Sequence, residues 1–483
     1  MAVYQPRGVK VEVQDNPNFI NVGDDVRLPA LVAIGPTTVT VVDEAVERGA
    51  TTVDTLSVST ANISSITQIA NTPGISSGSV SAQSITSNGA LYSLASASIT
   101  NPGQVTWSGS GDNVPDEGDI YYISYIYDVL AAQFDPKTFS DKAALKSTYG
   151  SEDVTDGLLT VGGAIVLENG SPAVMCVQAS GSSYVEANYK AAIDKLKKKT
   201  NIEQLVILFP SGSVTRAQQE TLLNYAVTHV KTMTNNGRER GLMTGSPSAY
   251  FASDGFDTIG DESTTSTYRY RAAALNDRDV VYIVPSRTRR KDESGVYMEL
   301  DGNFAAAAVA GVQSAQDKQS TPIHGFNVTG IEITNEKWNE FEMNQLGSSG
   351  CLVLESRSNV ITIRDAITTD GTSADTQEVS VVSTQRLVKR TLRDVLTNTY
   401  TNKGKVITST TTNDVEATTY SALYSLVLAN EIADIGRNDD PLTGETKISA
   451  KRDTTEPRRI LVTCSYQPLY PLKWITVTVS VFI

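Results

Sequence analysis

Two histidines, His229 and His324, and three cysteines, Cys176, Cys351 and Cys464, are the scarcest chemistry-bearing side chains in this 483-residue sequence. A histidine could shuttle protons or ligate a metal, and a cysteine could attack a carbonyl, bind zinc or form a disulfide. Each role needs partners at characteristic spacing, and none is present. The histidines lie 95 positions apart, no two cysteines form a CxxC, and there is no HExxH, Walker A or GxGxxG. "LGSSG" (346–350) has the glycines of a phosphate loop without its lysine, so it reads as a turn. In an enzyme of α/β type the crevice residues would sit at strand ends, here Pro210-Ser211-Gly212 and Pro285-Ser286. No base or cofactor ligand accompanies them. Catalysis, a cofactor and a metal are therefore not expected.

Two cationic features remain. "KLKKK" (195–199) ends a candidate helix, where cations complement the dipole. Arg386, Lys389, Arg390 and Arg393 fall at i, i+3, i+4 and i+7, so one helical stripe carries all four. Val388, Leu392 and Val395 point the other way, towards a core. In a chain of net charge −14 and pI about 4.8, such a stripe suits an acidic partner; a solvated helix face is the simpler alternative. The acidic balance argues against nucleic acid and against anionic membrane surfaces. The most apolar run, "FAAAAVAGV" (304–312), is too short to span a bilayer, and the N-terminus shows no secretory h-region. Direct membrane insertion is not expected, and the unpaired cysteines fit a reducing compartment.

The elements that would position these residues form an α/β pattern. Strands are expected at "LPALVAIGP" (28–36), "LTVGGAIVL", "PAVMCVQA", "EQLVILFP", "DVVYIVPS" and "GCLVLES". Helices are expected at 188–199, 215–233 and 303–315, the second opening on a Thr215/Gln218 capping box and the third presenting small residues for close packing. A pair of strands, "CLVLESR" and "NVITIRD", precedes two more helices, expected to stop at Gly404 and Gly436. Residues 51–119 contain no Lys or Arg and many Ser, Thr and Gly, which reads as a β-rich insertion closed by "GDIYYISYIYD"; a linker is the alternative.

Both ends alternate apolar and polar residues. Val9, Val11 and Val13 share one strand face near the start, and Ile475, Val477, Val479, Val481 and Ile483 share one in "PLKWITVTVSVFI". Burying five aliphatic side chains yields roughly 7–15 kcal/mol, whereas ordering nine backbone residues costs roughly 9–18 kcal/mol. The terminal strand therefore needs a pre-existing sheet edge, in its own domain or in a neighbour's.

The order of "YQPRGVKVEV", "LDGNFAAAAVAGVQSAQDKQSTPIHGFNVTGI", "GCLVLESRSNVITIRDAITTD", "STQRLVKRTLRDVLTNTY" and "YQPLYPLKWITVTVSVFI" resembles contractile-tail (myophage-type) sheath proteins. The resemblance covers most of 158–483 and the first arm, but not residues 44–119. It implies an α/β multidomain chain: a mixed-sheet α/β core, a β-rich inserted domain, and extended N- and C-terminal strand arms. The expected boundaries are 1–25 for the N-terminal arm, 26–43 with 120–345 for the middle domain, 44–119 for an outer insertion, 346–463 for an inner domain facing a tube, and 464–483 for the C-terminal arm. It further implies a homo-oligomer, a helical stack of hexameric rings joined by arm strands entering neighbouring subunits. Its partners would be an inner tail tube protein, which the 386–393 stripe would face, and baseplate and tail terminator proteins. The place would be a virion tail assembled in a bacterial cytoplasm. Another self-assembling virion or surface-layer protein with swapped strands, or an α/β enzyme with a β-rich accessory domain, are the competing readings.

Overall fold

The computed structural model describes residues 27–471 except 36–37, 52, 57–62, 71–96, 100–103, 108–115, 129–133, 155–156, 182, 211–213, 246–266, 293–294, 335–337, 358–359, 372–376, 402–405, 409 and 436–447. Both expected arm strands, with Val9, Val11, Val13, Ile475, Val477, Val479, Val481 and Ile483, lie outside the described residues, as do Ser211, Gly212, Gly404 and Gly436.

A nine-stranded mixed sheet organises the middle of the chain. Its six central strands are parallel, in the order Cys351–Arg357, Val280–Val284, Gly241–Gly245, Ile202–Ile207, Leu28–Ile34 and Val174–Ala179. Five of these are buried along their whole length, as continuous Val, Ile and Leu runs predict for strands covered on both faces. Antiparallel strands close the edges: Lys137–Phe139 on one side, Val360–Asp365 and Asn327–Val328 on the other.

The expected capping box is present: the Thr215 hydroxyl accepts from the Gln218 amide, and Gln218 returns the bond, starting the Arg216–Asn235 helix. The small-residue helix, Gly302–Ser314, packs against the Leu158–Glu168 helix. A Cβ on Gly311 would stand 2.6 Å from the Val166 carbonyl oxygen, so only glycine permits that approach. The second of these helices corrects the sequence reading, which made "LTVGGAIVL" a strand. It is buried from Leu158 to Val166, and a short run that is apolar on every side carries no periodicity to separate buried helix from buried strand.

The described strands between residues 38 and 128 build two small sheets. In one, Thr38–Glu47 and Ile63–Ala70 flank Ile120–Asp128; in the other, Val53–Thr55 and Ala97–Ile99 flank Gln104–Trp107. Strand pairing thus carries the β-rich unit past residues 44 and 119 on either side. The link between the sheets is polar. Asp54, buried, accepts from Trp107 Nε1 at 2.7 Å, Tyr121 OH at 3.0 Å and the Gly49 amide at 2.9 Å.

The last unit packs the Val379–Leu396 helix against the Thr411–Leu428 helix and two strand pairs, Ile432–Ile435 with Tyr466–Pro468 and Ile448–Arg452 with Ile460–Cys464. The second helix does not run on to Gly436. Asn430 takes the left-handed conformation at φ 54° and turns the chain into the Ile432–Ile435 strand. Leu387, Val388 and Leu392 share their core with Leu423, Leu426, Ile435 and Tyr466.

Candidate functional site

The cationic stripe lies within the molecule. Every residue from Val379 to Arg390 is buried, so the helix has core on one side and a second surface on the other. That second surface is the amino-terminal edge of the parallel sheet. Glu203 is the second residue of the Ile202–Ile207 strand, Glu239 lies two residues before Gly241–Gly245, and Asp279 immediately precedes Val280–Val284. Three adjacent strands therefore begin with one carboxylate each, facing one helix.

Arg386 spans two of them, with Nη1 3.1 Å from Glu203 and Nη2 2.8 Å from Asp279. Arg390 shares Glu203 at 3.4 Å and donates to Gln319 at 2.6 Å. Arg393 forks onto Glu239 and donates to the Gly237 carbonyl at 2.9 Å. Gly241 supplies the clearance: a Cβ there would stand 2.6 Å from the Arg386 guanidinium and 2.3 Å from the Gln204 side chain. Gln204 extends the polar seam through Gln313 to Ser383 on the helix.

The charges respond to this enclosure. Burial works against the Arg386 charge, but Asp279 and Glu203 outweigh it and raise its pKa. Burial would raise the Asp279 carboxyl, but Arg386 and Arg278 hold it below the ordinary carboxylate range. Arg390, with only a share of Glu203, is lowered by burial to about 10. Lys389 is lowered to about 8, first by burial and then by Arg278. The reading of Arg386, Lys389, Arg390 and Arg393 as a stripe facing a tube is thus corrected. A helix face that looks solvated in one dimension is neutralised by carboxylates up to 187 positions away. The three arginines weld the last unit to the sheet.

The opposite edge of the sheet, where an α/β enzyme would hold its substrate, is filled at Gly245. A Cβ on that residue would stand 2.5 Å from the Gly302 backbone, and the Asn303 side chain accepts from Thr244 and from the Gly245 amide. Ser286 is fully buried. His229 sits with Nε2 3.3 Å from Arg240, and burial followed by Arg240 lowers its pKa to about 4. Arg240 in turn donates to the Leu196 and Lys199 carbonyls, holding the "KLKKK" turn. Cys176 and Cys351 are buried thiols, and burial raises the Cys464 thiol to about 12. Among the described residues, no three His, Cys, Asp or Glu side chains are grouped to hold a metal, and no helix is long and apolar enough to cross a membrane.

No family model matches the sequence. A curated relative, the tail sheath protein of Mycobacterium phage Bxz1, is 24% identical over 378 residues, which are 76% of this chain and 59% of that protein. The chain therefore spans less than two thirds of that relative's length. Among solved structures, the helical sheath of the anti-feeding prophage in its contracted state aligns over 99% of both chains with a TM-score of 0.56 at 10% identity. A chain of the anti-feeding prophage baseplate aligns over 100% of both, also with a TM-score of 0.56 and 10% identity.

Proposed function

We propose that this chain, which has the fold of contractile sheath proteins, is the structural subunit of a contractile tail sheath. Copies stack as hexameric rings around an inner tail tube, between a baseplate and a tail terminator. Contraction of the stack drives the tube through a target cell envelope. The observation that carries this reading is the end-to-end fold agreement with a contracted helical sheath, 99% of both chains, beside sequence similarity to a phage protein named for the same role. The reading assigns the chain a mechanical task with no catalytic step, and places it in a virion tail assembled in the host cytoplasm.

In this reading, the alternating arms (Val9, Val11, Val13 at one end; Ile475, Val477, Val479, Val481, Ile483 at the other) add strands to neighbouring subunits. Head-to-tail strand exchange is a heterologous contact, whose natural product is a helical stack. The welded junction supports force transmission, because the last unit cannot slide on the sheet without separating buried ion pairs. The β-rich unit, which lacks the resemblance, occupies the outer surface.

Negative-stain microscopy of the overexpressed chain is the direct test. Long hollow, cog-like tubes are expected, and a persistent monomer or a flat lattice overturns the reading. Deleting 473–483 abolishes the tubes and leaves a soluble, folded core; aggregation of the truncated chain places the terminal strand in its own domain instead.

A further inference from the structure

The hairpin between Ile448–Arg452 and Ile460–Cys464 carries the sequence "KRDTTEPRR" (451–459) at its tip. Four cations and two carboxylates fall within nine residues, a net +2 in a chain of −14, so the other residues carry −16. Both carboxylates are spent on building the tip. Asp453, buried, accepts from the Thr455 amide and hydroxyl, the Glu456 amide and Arg459. These bonds, led by those of Thr455, hold its carboxyl well below the ordinary range. Glu456 accepts from the amide and the guanidinium of Arg458, and Arg452 Nε closes the loop on the Pro457 carbonyl at 2.9 Å.

The cations, by contrast, face outward. The Arg458 side chain is 90% exposed and that of Arg459 50%; Lys451 and Arg452 are exposed. The strands beneath are anchored, since Ala450 packs with Leu396 and Val415, and its amide donates to Glu416 at 2.7 Å. A loop that turns Asp453 inward and leaves Glu456 as the one partly exposed acid among four exposed cations, on a backbone already fixed, presents its positive charge with little ordering cost on contact.

We infer that this hairpin tip is an electrostatic docking point for the acidic surface of a second copy of the same chain. The charge balance selects that occupant: outside the tip every copy is strongly acidic, and in a homopolymer other copies are the acidic surface at highest local concentration. A basic tip meeting a different, acidic patch on an identical neighbour is a heterologous contact, which propagates along a stack. The inference rests on the sheath reading for the homopolymer that brings copies together and for the form of the assembly.

The test is the triple reversal K451E/R452E/R458E, which spares Asp453 and Arg459 but gives up the Arg452 bond to the Pro457 carbonyl and the Arg458 bond to Glu456; K451E alone, which touches neither bond, is measured beside it so that a lost turn and a lost contact are told apart. Sedimentation velocity reads self-association whether or not tubes form, and microscopy reads the tubes. The expected result is a folded monomer, unchanged by circular dichroism, whose assembly requires roughly tenfold or more higher concentration, because a weak contact is repeated at every subunit. Wild-type association weakens as NaCl rises, and that of the variant is insensitive to it. Wild-type self-association without tubes, lost in the variant, removes the sheath reading and supports the hairpin. Equal self-association of variant and wild type overturns the inference. So does a variant that self-assembles normally yet fails to enclose co-expressed tube protein, which would make the tube the occupant.

Discussion

Arg386 and Glu203 are 183 positions apart in the chain and 3.1 Å apart in the fold, both buried. Arg386 also holds Asp279, and Glu203 also holds Arg390. The pairing joins the helix of the last unit to the start of two parallel strands. Its strength comes from completeness: removing one member leaves the others charged and without water.

Glu203→Ala takes a shared carboxylate from two arginines at once, leaving Arg386 with Asp279 alone and Arg390 with the neutral Gln319. Breaking a buried pair from one side costs about 3–5 kcal/mol. We expect a loss of that size in denaturant unfolding, with faster amide exchange across Val379–Arg390. The double change of Glu203 to Leu with Arg386 to Met removes charge from both sides and costs less than Glu203→Ala alone. Equal stability of Glu203→Ala and wild type would remove the junction from its anchoring role.

Lys389 is the weak member. Its folded pKa of about 8 lies below the ordinary 10.5, so the unfolded chain binds more protons between those values. Stability therefore rises with pH through that window, and below pH 8 the cost of the buried ammonium is fully present. Lys389→Met is expected to stabilise the protein at pH 7 by roughly 1–3 kcal/mol. The advantage should shrink as pH climbs towards 10. A variant less stable than wild type at pH 7 would contradict this account.

The sequence carried the elements whose signals are local. The capping box at Thr215 and Gln218, the alanine-rich helix and five of the six apolar strands are each specified by neighbours within a few positions, and they stand where expected; "LTVGGAIVL" is the exception. The amphipathic character of the Val379–Leu396 helix was equally visible, because Val388, Leu392 and Val395 recur at helical spacing. What its other face met was not, because Glu203, Glu239 and Asp279 are single acids on separate strands, aligned only once the sheet forms. Asp54 was missed for the same reason: in a Ser- and Thr-rich stretch, nothing nearby signals that Trp107 and Tyr121 converge on it.

His229 predicts sensitivity to acid. Burial and Arg240 lower its pKa to about 4, and its Nδ1 is buried with no partner. Between about pH 6.5 and 4 the unfolded chain binds a proton that the folded chain refuses. Its contribution is fully present above pH 6.5 and is lost as pH falls to 4, to the extent of roughly 1–3 kcal/mol. Thermal unfolding of His229→Gln and wild type should therefore converge with acidification, the wild type losing more. Parallel pH profiles would show that His229 is protonated within the fold.

Asp54 provides the last prediction, for the β-rich unit alone. It is the common acceptor of the Trp107 indole, the Tyr121 hydroxyl and the Gly49 amide, and the two rings meet edge-on at 5.2 Å. Asp54→Ala takes a buried acceptor from both ring donors, at about 1–3 kcal/mol for each bond lost. Asp54→Asn keeps one acceptor oxygen and should retain part of the difference. Trp107 fluorescence, isolated by replacing Trp338 and Trp474 with Phe, reports unfolding of this unit. The expected order of midpoints is wild type, Asp54→Asn, Asp54→Ala. The welded junction lies on other strands, so exchange protection at Val379–Arg390 should stay unchanged. A midpoint for Asp54→Ala equal to that of wild type would mean that the two small sheets are held together by their apolar contacts alone.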